Sequence, residues 1–244
     1  MVYFIHSQKS DSLEESNVEK SYALFDFDGT LRKGDSIITV CRYAHKKGLC
    51  STGQLLRGAW YGVLYGLKLC SAERSKTEAM QWIKGRLRSE MDAFSIDFCL
   101  NKLIPEMFPA GLKAIQDEKA RGASVLLITA SPAFYLNAME SLLGVESVIG
   151  TRMNLDNQDR YTGEICGDNC KGFQKPLRLA EYLAAMGDSL VFESSAAYGD
   201  SASDLPMMQL CQSKVGVNAK RKLKKALVTE EGVSNVRWRG KNQR

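Results

Sequence analysis

Short apolar runs punctuate this chain at intervals too long for hairpins, and the segments between them carry their apolar residues at helical spacing. Ser21 to Asp26 is the first run, Ser124 to Pro132 the second, Ser147 to Thr151 the third, Ser194 to Tyr198 the fourth and Ser213 to Val217 the fifth. In the second, Val125, Leu126, Leu127 and Ile128 follow one another without interruption, as in a strand buried on both faces of a parallel sheet. Helices are expected at Pro105 to Arg121, closed by Gly122, at Phe134 to Leu143, and through Leu177, Leu179, Ala180 and Leu183. Strands alternating with helices in this way specify an α/β fold whose parallel sheet is joined by right-handed crossovers.

One block breaks the rhythm. From Ser36 onward Ile37, Ile38, Val40, Cys41, Tyr43 and Ala44 recur at helical spacing, and Gln54 to Leu69, Ala72 to Leu87 and Asp92 to Leu103 follow in the same pattern. No convincing strand interrupts residues 36–104, which are expected as a helical insertion entered near the first strand tip and covering it. Asp156 to Gly163 is turn-rich and predicts a small β-excursion ending near Ile165. Residues 1–20 lack apolar periodicity and are expected as a flexible leader, and 237–244 as a mobile basic tail, leaving 21–35 and 105–236 as the α/β core.

The chemistry collects at strand ends. Leu24-Phe25 delivers Asp26 and Asp28 into a turn at Gly29; the second run ends in Thr129, Ala130 and Ser131; the fourth is followed at once by Gly199-Asp200-Ser201-Ala202-Ser203-Asp204. Ligands of parallel α/β sheets bind beyond the carboxyl ends of the strands. Paired carboxylates there suit a hard cation, which takes oxygen ligands from one or two acids together with a substrate phosphate. Taken alone, each acidic stretch is also ordinary turn punctuation or the start of a helix.

Composition narrows the picture modestly. With 44% hydrophobic residues over 244 positions, the chain supports a sizeable core, and its formal charge of +5 favours anionic partners. Seven scattered cysteines without a CxxC pair suggest a reducing, cytoplasmic setting, and two histidines give little support to a zinc site or a histidine-based triad. No secretory signal opens the chain, and the apolar run from Gly58 to Leu67, bounded by Arg57 and Lys68, is too short to span a bilayer.

Asp26-Phe27-Asp28-Gly29-Thr30, Thr129 in Ile-Thr-Ala-Ser-Pro, Lys175 in Cys170-Lys-Gly-Phe-Gln-Lys175, and Gly199-Asp200 to Asp204 come in this order. Together they resemble the four motifs of the haloacid dehalogenase superfamily, most closely its phosphoserine-phosphatase-like branch, over roughly Ser21 to Asn218. The resemblance implies a Rossmann-like parallel sheet flanked by helices, with an α-helical cap inserted after the first strand. It further implies a Mg²⁺-dependent phosphatase in which Asp26 is the nucleophile and Asp28 the acid/base. Mg²⁺ would be held by Asp26, Asp200 and the backbone carbonyl of Asp28, with Asp204 in a supporting position. Gly29, Thr129, Ala130 and Lys175 would surround the phosphoryl group. A phosphotransferase using the same intermediate and a non-catalytic phospho-ligand-binding module are the alternatives.

Other features weigh less. Lys171 and Arg178 flank Lys175 closely enough for all three to form a solvated basic face, and Asp35 suits either a substrate contact or a helix cap. Lys220 to Lys225 is expected as an exposed helix face, with no nucleic-acid partner. The stripe Leu55, Leu56, Trp60, Val63, Leu64 and Leu67 is expected first as a packing surface, then as an apolar substrate wall, and last as a peripheral membrane contact. The expected substrate is a small phosphorylated metabolite or a phospholipid head group.

Overall fold

The structure, a computed structural model, describes residues 18–240. Strands β1 (Val18–Lys20) and β2 (Tyr22–Phe25) lead into a helical block: α1 (Ser36–Lys46), α2 (Thr52–Gly66), α3 (Ala72–Met80), α4 (Arg88–Phe98) and the short α5 (Ile104–Glu106). There follow α6 (Pro109–Ala120), β3 (Ser124–Pro132), α7 (Ala138–Leu143), β4 (Ser147–Leu155) and β5 (Tyr161–Cys166). The chain continues through α8 (Gln174–Met186), β6 (Asp188–Leu190), β7 (Ala196–Gly199), α9 (Leu205–Met208), β8 (Ser213–Val217), α10 (Arg221–Leu227) and β9 (Val233–Val236).

Seven strands form one sheet in the order β5-β4-β3-β2-β7-β8-β9, parallel throughout except for β5. The uninterrupted apolar runs follow from this arrangement. Successive residues of a strand face opposite sides, so Ala23, Phe25, Val125 and Leu127 enter the core on one face of the sheet. Tyr22, Leu24, Leu126 and Ile128 enter the core on the other. From β2 the chain moves first to β3 and β4 on one side and later to β7, β8 and β9 on the other. The carboxyl end of β2 is therefore the point where the connections diverge and leave a crevice.

The helical block is anchored to the core through aromatic packing. Phe98 meets Tyr135 edge-on with ring centroids 5.8 Å apart, and Trp82 lies against Phe94 and Phe134. Its helices begin where side chains satisfy free amides: Asp35 accepts from the Ile37 N–H at 2.8 Å, and Ser51 and Gln54 form a capping box at α2. Asp35 is thus the N-cap of α1. Helix α2 alone of the long helices contributes no buried residue.

Several boundaries differ from the sequence expectation. Residues 1–17 of the expected leader lie outside the described residues, but Val18–Lys20 pair in parallel with β6, and the Lys20 ammonium meets Asp188 at 2.8 Å. The helix expected from Ala72 to Leu87 stops at Met80, because Gly85 and Tyr161 bond through their backbones and draw the chain toward β5. The helix expected from Pro105 begins at Pro109, where proline suits the first turn. The third strand runs on to Leu155 to pair with β5, and β9 is an edge strand too short for its pattern to declare. Trp238 of the expected tail is tied down: its N–H donates to Asn218 Oδ1 at 3.0 Å, and its ring lies 6.1 Å from that of Tyr198. All seven cysteines are free, Cys166 and Cys170 included.

Candidate active site

Asp26 stands one residue beyond β2, its N–H still bonded to the Tyr198 carbonyl at 3.0 Å, so its carboxylate sits at the carboxyl edge of the sheet. The backbone then reverses at Gly29, with φ of +94°. A Cβ on Gly29 would lie 2.2 Å from Asp200 Oδ2, and one on Gly199 would lie 2.6 Å from the Asp204 Cβ. Glycine at both places lets the acidic loops after β2 and β7 interlock.

Lys175, in the first turn of α8, is only 1% exposed, and its ammonium donates to Asp26 Oδ1 and Asp204 Oδ1, each at 2.7 Å. Thr30 Oγ1 donates to the other Asp26 oxygen at 2.9 Å. Asp204 also accepts from the Ser201 N–H at 3.0 Å and the Ser201 hydroxyl at 2.9 Å. It therefore serves its own loop and Lys175 rather than capping α9. Lys171 instead donates to the Tyr65 hydroxyl and Arg178 to the Asp168 carbonyl, so the three neighbouring cations form no common solvated face.

Asp26, Asp200 and Asp204 each offer a carboxylate oxygen within 4.8 Å of the others. Burial, and then the charge of Asp204, push Asp26 up to about 7 against the pull of Lys175. For Asp204 burial acts upward as well, but Lys175 and Ser201 outweigh it and hold the carboxyl below the usual carboxylate range. Burial raises Asp200, with Lys220 opposing at 2.7 Å. Three close oxygen donors whose negative charge is incompletely neutralised fit a hard divalent cation.

The Asp28 carboxylate lies outside that group. It accepts from the Ser36 N–H at 2.8 Å, from the Ser36 and Ser131 hydroxyls at 2.6 Å each, and from Arg32 at 3.2 Å. Burial, followed by the charge of Asp35, raises its pKa despite these donors. Arg32 also binds Glu106 at 2.9 Å, joining Asp28 to the far end of the helical block.

Thr129 and Ala130 lie where the β3–β4 ladder is irregular, between Ile128 and Pro132. Such a bulge re-aims side chains at a strand end. Thr129 Oγ1 accepts from the Ser131 N–H at 3.0 Å, and the Ala130 carbonyl accepts from Thr151 Oγ1 at 2.7 Å. Lys76, reaching across from α3, donates to the same carbonyl and to Asn169 Oδ1, and burial pushes its ammonium down to about 8. Asp26, Asp28, Gly29, Thr129, Ala130, Lys175, Asp200 and Asp204 all line one cleft of about 1580 Å³, bordered also by residues of α1, α2 and α3.

Sequence reasoning gave no individual site role to Thr30, Arg32, Ser36, Lys76, Ser131 or Lys220, the last of which it placed on an exposed helix face. Thr30 and Ser131 stand beside motif residues, a local signal. Lys76 sits in an ordinary amphipathic helical pattern and Lys220 at the head of a basic run before α10, neither with such a signal.

The haloacid dehalogenase-like hydrolase family model matches residues 23–209. The histidinol-phosphatase of Neisseria meningitidis serogroup C is 26% identical over 208 residues, covering 84% of this chain and 94% of that protein. A phosphoserine phosphatase of Mycobacterium tuberculosis is 26% identical over 220 residues, covering 86% and 68% respectively. Among solved structures, a protein with unknown function from Bordetella pertussis Tohama I superposes with a TM-score of 0.77 at 22% identity, covering 88% of this chain and 98% of that one. A substrate-bound phosphoserine phosphatase gives 0.57 at 21% identity, covering 84% and 90%. These structural likenesses concern the fold, a mostly parallel sheet flanked by helices.

Proposed function

Because the chain belongs to the haloacid dehalogenase-like hydrolase family and is a phosphatase, we propose that it hydrolyses phosphate monoesters through an aspartyl-phosphate on Asp26. The observation that carries this reading is the Lys175 ammonium held between Asp26 and Asp204 at the carboxyl end of β2. Lys175 and Thr30 pin the two Asp26 oxygens in one orientation, and each oxygen keeps a lone pair. An Asp26 oxygen attacks phosphorus while the bond from phosphorus to the ester oxygen breaks.

Asp28 supplies the proton to the departing alcohol and then takes one from the water that hydrolyses the acyl phosphate. Its raised pKa supports the first role. The Thr129 hydroxyl and the amide of Ala130 receive phosphoryl oxygens, Lys175 balances charge in the transition state, and Gly29 leaves room for close approach. Asp26, Asp200 and the Asp28 carbonyl would hold Mg²⁺, with Asp204 supporting them; the ion supplies charge neutralisation between an anionic nucleophile and an anionic phosphate. Retention of Asp28 favours turnover over a non-catalytic binding role.

Hydrolysis of an aryl phosphate is expected with Mg²⁺, to vanish with a chelator and to return on adding Mg²⁺; undiminished activity in chelator would sink the metal assignment. Adding an acceptor alcohol separates hydrolase from phosphotransferase, since only the latter yields a new phosphate ester in place of inorganic phosphate. The names of the relatives suggest a small phosphorylated metabolite as substrate; a phospholipid head group is our second candidate class.

Metal affinity should also depend on pH. Burial pushes the Asp26 carboxyl up to about 7, and a bound cation requires its ionised form. Calorimetric titration from about pH 6 to about pH 8 is expected to show Mg²⁺ binding tightening with pH and releasing protons at the lower end. Affinity that is flat across this range would show that no proton leaves Asp26 when Mg²⁺ binds.

A further inference from the structure

Helix α2 leaves an apolar stripe uncovered. Leu56, Trp60, Val63 and Leu67 stand at i, i+4, i+7 and i+11, one line along the helix, and are 65%, 60%, 52% and 64% exposed. The opposite side is already occupied: Gly58 faces α3 so closely that a Cβ there would lie 3.1 Å from the Ala79 Cα. Water is a poor partner for a continuous stripe of this kind, which marks an interaction surface.

The stretch of chain that carries the stripe has charge of one sign. Between Ser36 and Cys70 the chain contains Arg42, Lys46, Lys47, Arg57 and Lys68 and no carboxylate. Lys47 and Arg57 pair with Asp97 and Glu78 from neighbouring helices; Arg42, Lys46 and Lys68 make no salt bridge among the described residues. The cleft over Asp26 reaches the stripe, since its lining takes in Leu56 and Val63, and the same lining carries the cations Lys33, Arg42, Arg237 and Arg239. Two copies of the chain meeting through α2 would set these cations against one another. An anionic lipid surface satisfies both the apolar stripe and its cationic surround, as for helices that lie in a bilayer interface.

We propose that α2 docks this protein on an anionic bilayer, with Leu56, Trp60, Val63 and Leu67 in the interface and the cleft mouth turned toward the lipid. Resting on the phosphatase reading, this implies that the cleft receives a phosphate monoester carried in the membrane surface, its apolar stem lying along Leu55, Ala59 and Val63.

The test uses the full chain and sedimentation with vesicles of phosphatidylcholine alone, or with about a third phosphatidylglycerol. Binding is expected to be at least about tenfold stronger to the anionic vesicles, to weaken with salt, and to shift tryptophan emission to the blue. Of the three tryptophans, Trp82 is buried and Trp238 half-buried, which leaves Trp60 to report. The double variant Trp60→Ser/Leu67→Ser alters residues outside the cleft lining. It should lose at least about tenfold in vesicle binding while hydrolysing a soluble aryl phosphate at the wild-type rate. Equal binding by variant and wild type, no preference for anionic lipid, or a dimer that the double variant dissolves would each overturn the proposal. Vesicle binding by a chain that hydrolyses no phosphate ester would uphold the docking and refute the phosphatase mechanism instead.

Discussion

Asp26→Asn is expected to lower phosphate-ester hydrolysis by about 10⁴-fold or more while the protein remains folded. The amide is nearly isosteric with the carboxylate, and its oxygen can accept from Lys175 while its NH₂ donates to Thr30 Oγ1, whose hydroxyl turns to accept. The variant would thus keep both contacts that Asp26 makes at 2.7 and 2.9 Å. What disappears is the nucleophilic anion, and with it the covalent route. Because one of two like charges beside Lys175 is removed, the melting temperature should stay close to that of the wild type. Steady-state kinetics with an aryl phosphate, alongside thermal melting, checks both parts. Near-normal turnover in a folded Asp26→Asn protein would mean that water attacks directly and that the acyl-phosphate scheme is wrong.

Lys175→Met addresses the other pole of the site. Methionine fills much of the volume of the lysine stem, so the effect is largely one of charge. Asp26 and Asp204 would then be buried against each other without their shared cation, and removing one partner of a buried pair costs about 3–5 kcal/mol. Turnover should fall about 10²- to 10³-fold as well.

The stability loss has a predictable pH dependence. In the wild type burial pushes Asp26 up to about 7 from an ordinary value of 3.8, so the folded state binds the extra proton. A carboxyl raised in this way makes stability fall as pH rises through that window. Asp204 opposes the trend in the wild type, because Lys175 holds it below its ordinary value. In Lys175→Met both carboxyls are raised. Denaturant titrations near pH 5 and pH 7.5 should therefore show a larger deficit at the higher pH, partly relieved by Mg²⁺. An equal deficit at both pH values would assign the role of Lys175 to packing.

The Lys175 side chain also marks where local pattern stops informing. Lys171, Lys175 and Arg178 are equivalent in the sequence as basic positions leading into one helix, yet only Lys175 is buried between carboxylates. Burial of an ammonium depends on what arrives opposite it, and Asp26 comes from 149 positions away. Asp28 is similar: burial raises its carboxyl, and the hydroxyls of Ser36 and Ser131 that oppose the rise come in part from 103 positions away.

The parallel sheet, the helical block after the first acidic turn and the places where acids, hydroxyls and glycines meet strand ends are all legible in the chain itself. Buried strands must be apolar on both faces, and interlocked turns must be glycine, so these requirements are written residue by residue. Folding in three dimensions was needed to pair β1 with β6, to close one edge of the sheet with β9, to carry Lys76 across to the core, and to leave the apolar stripe of α2 uncovered. Apolar spacing states which residues gain by leaving water; which surface receives them is settled only when segments far apart in the chain come to share a boundary.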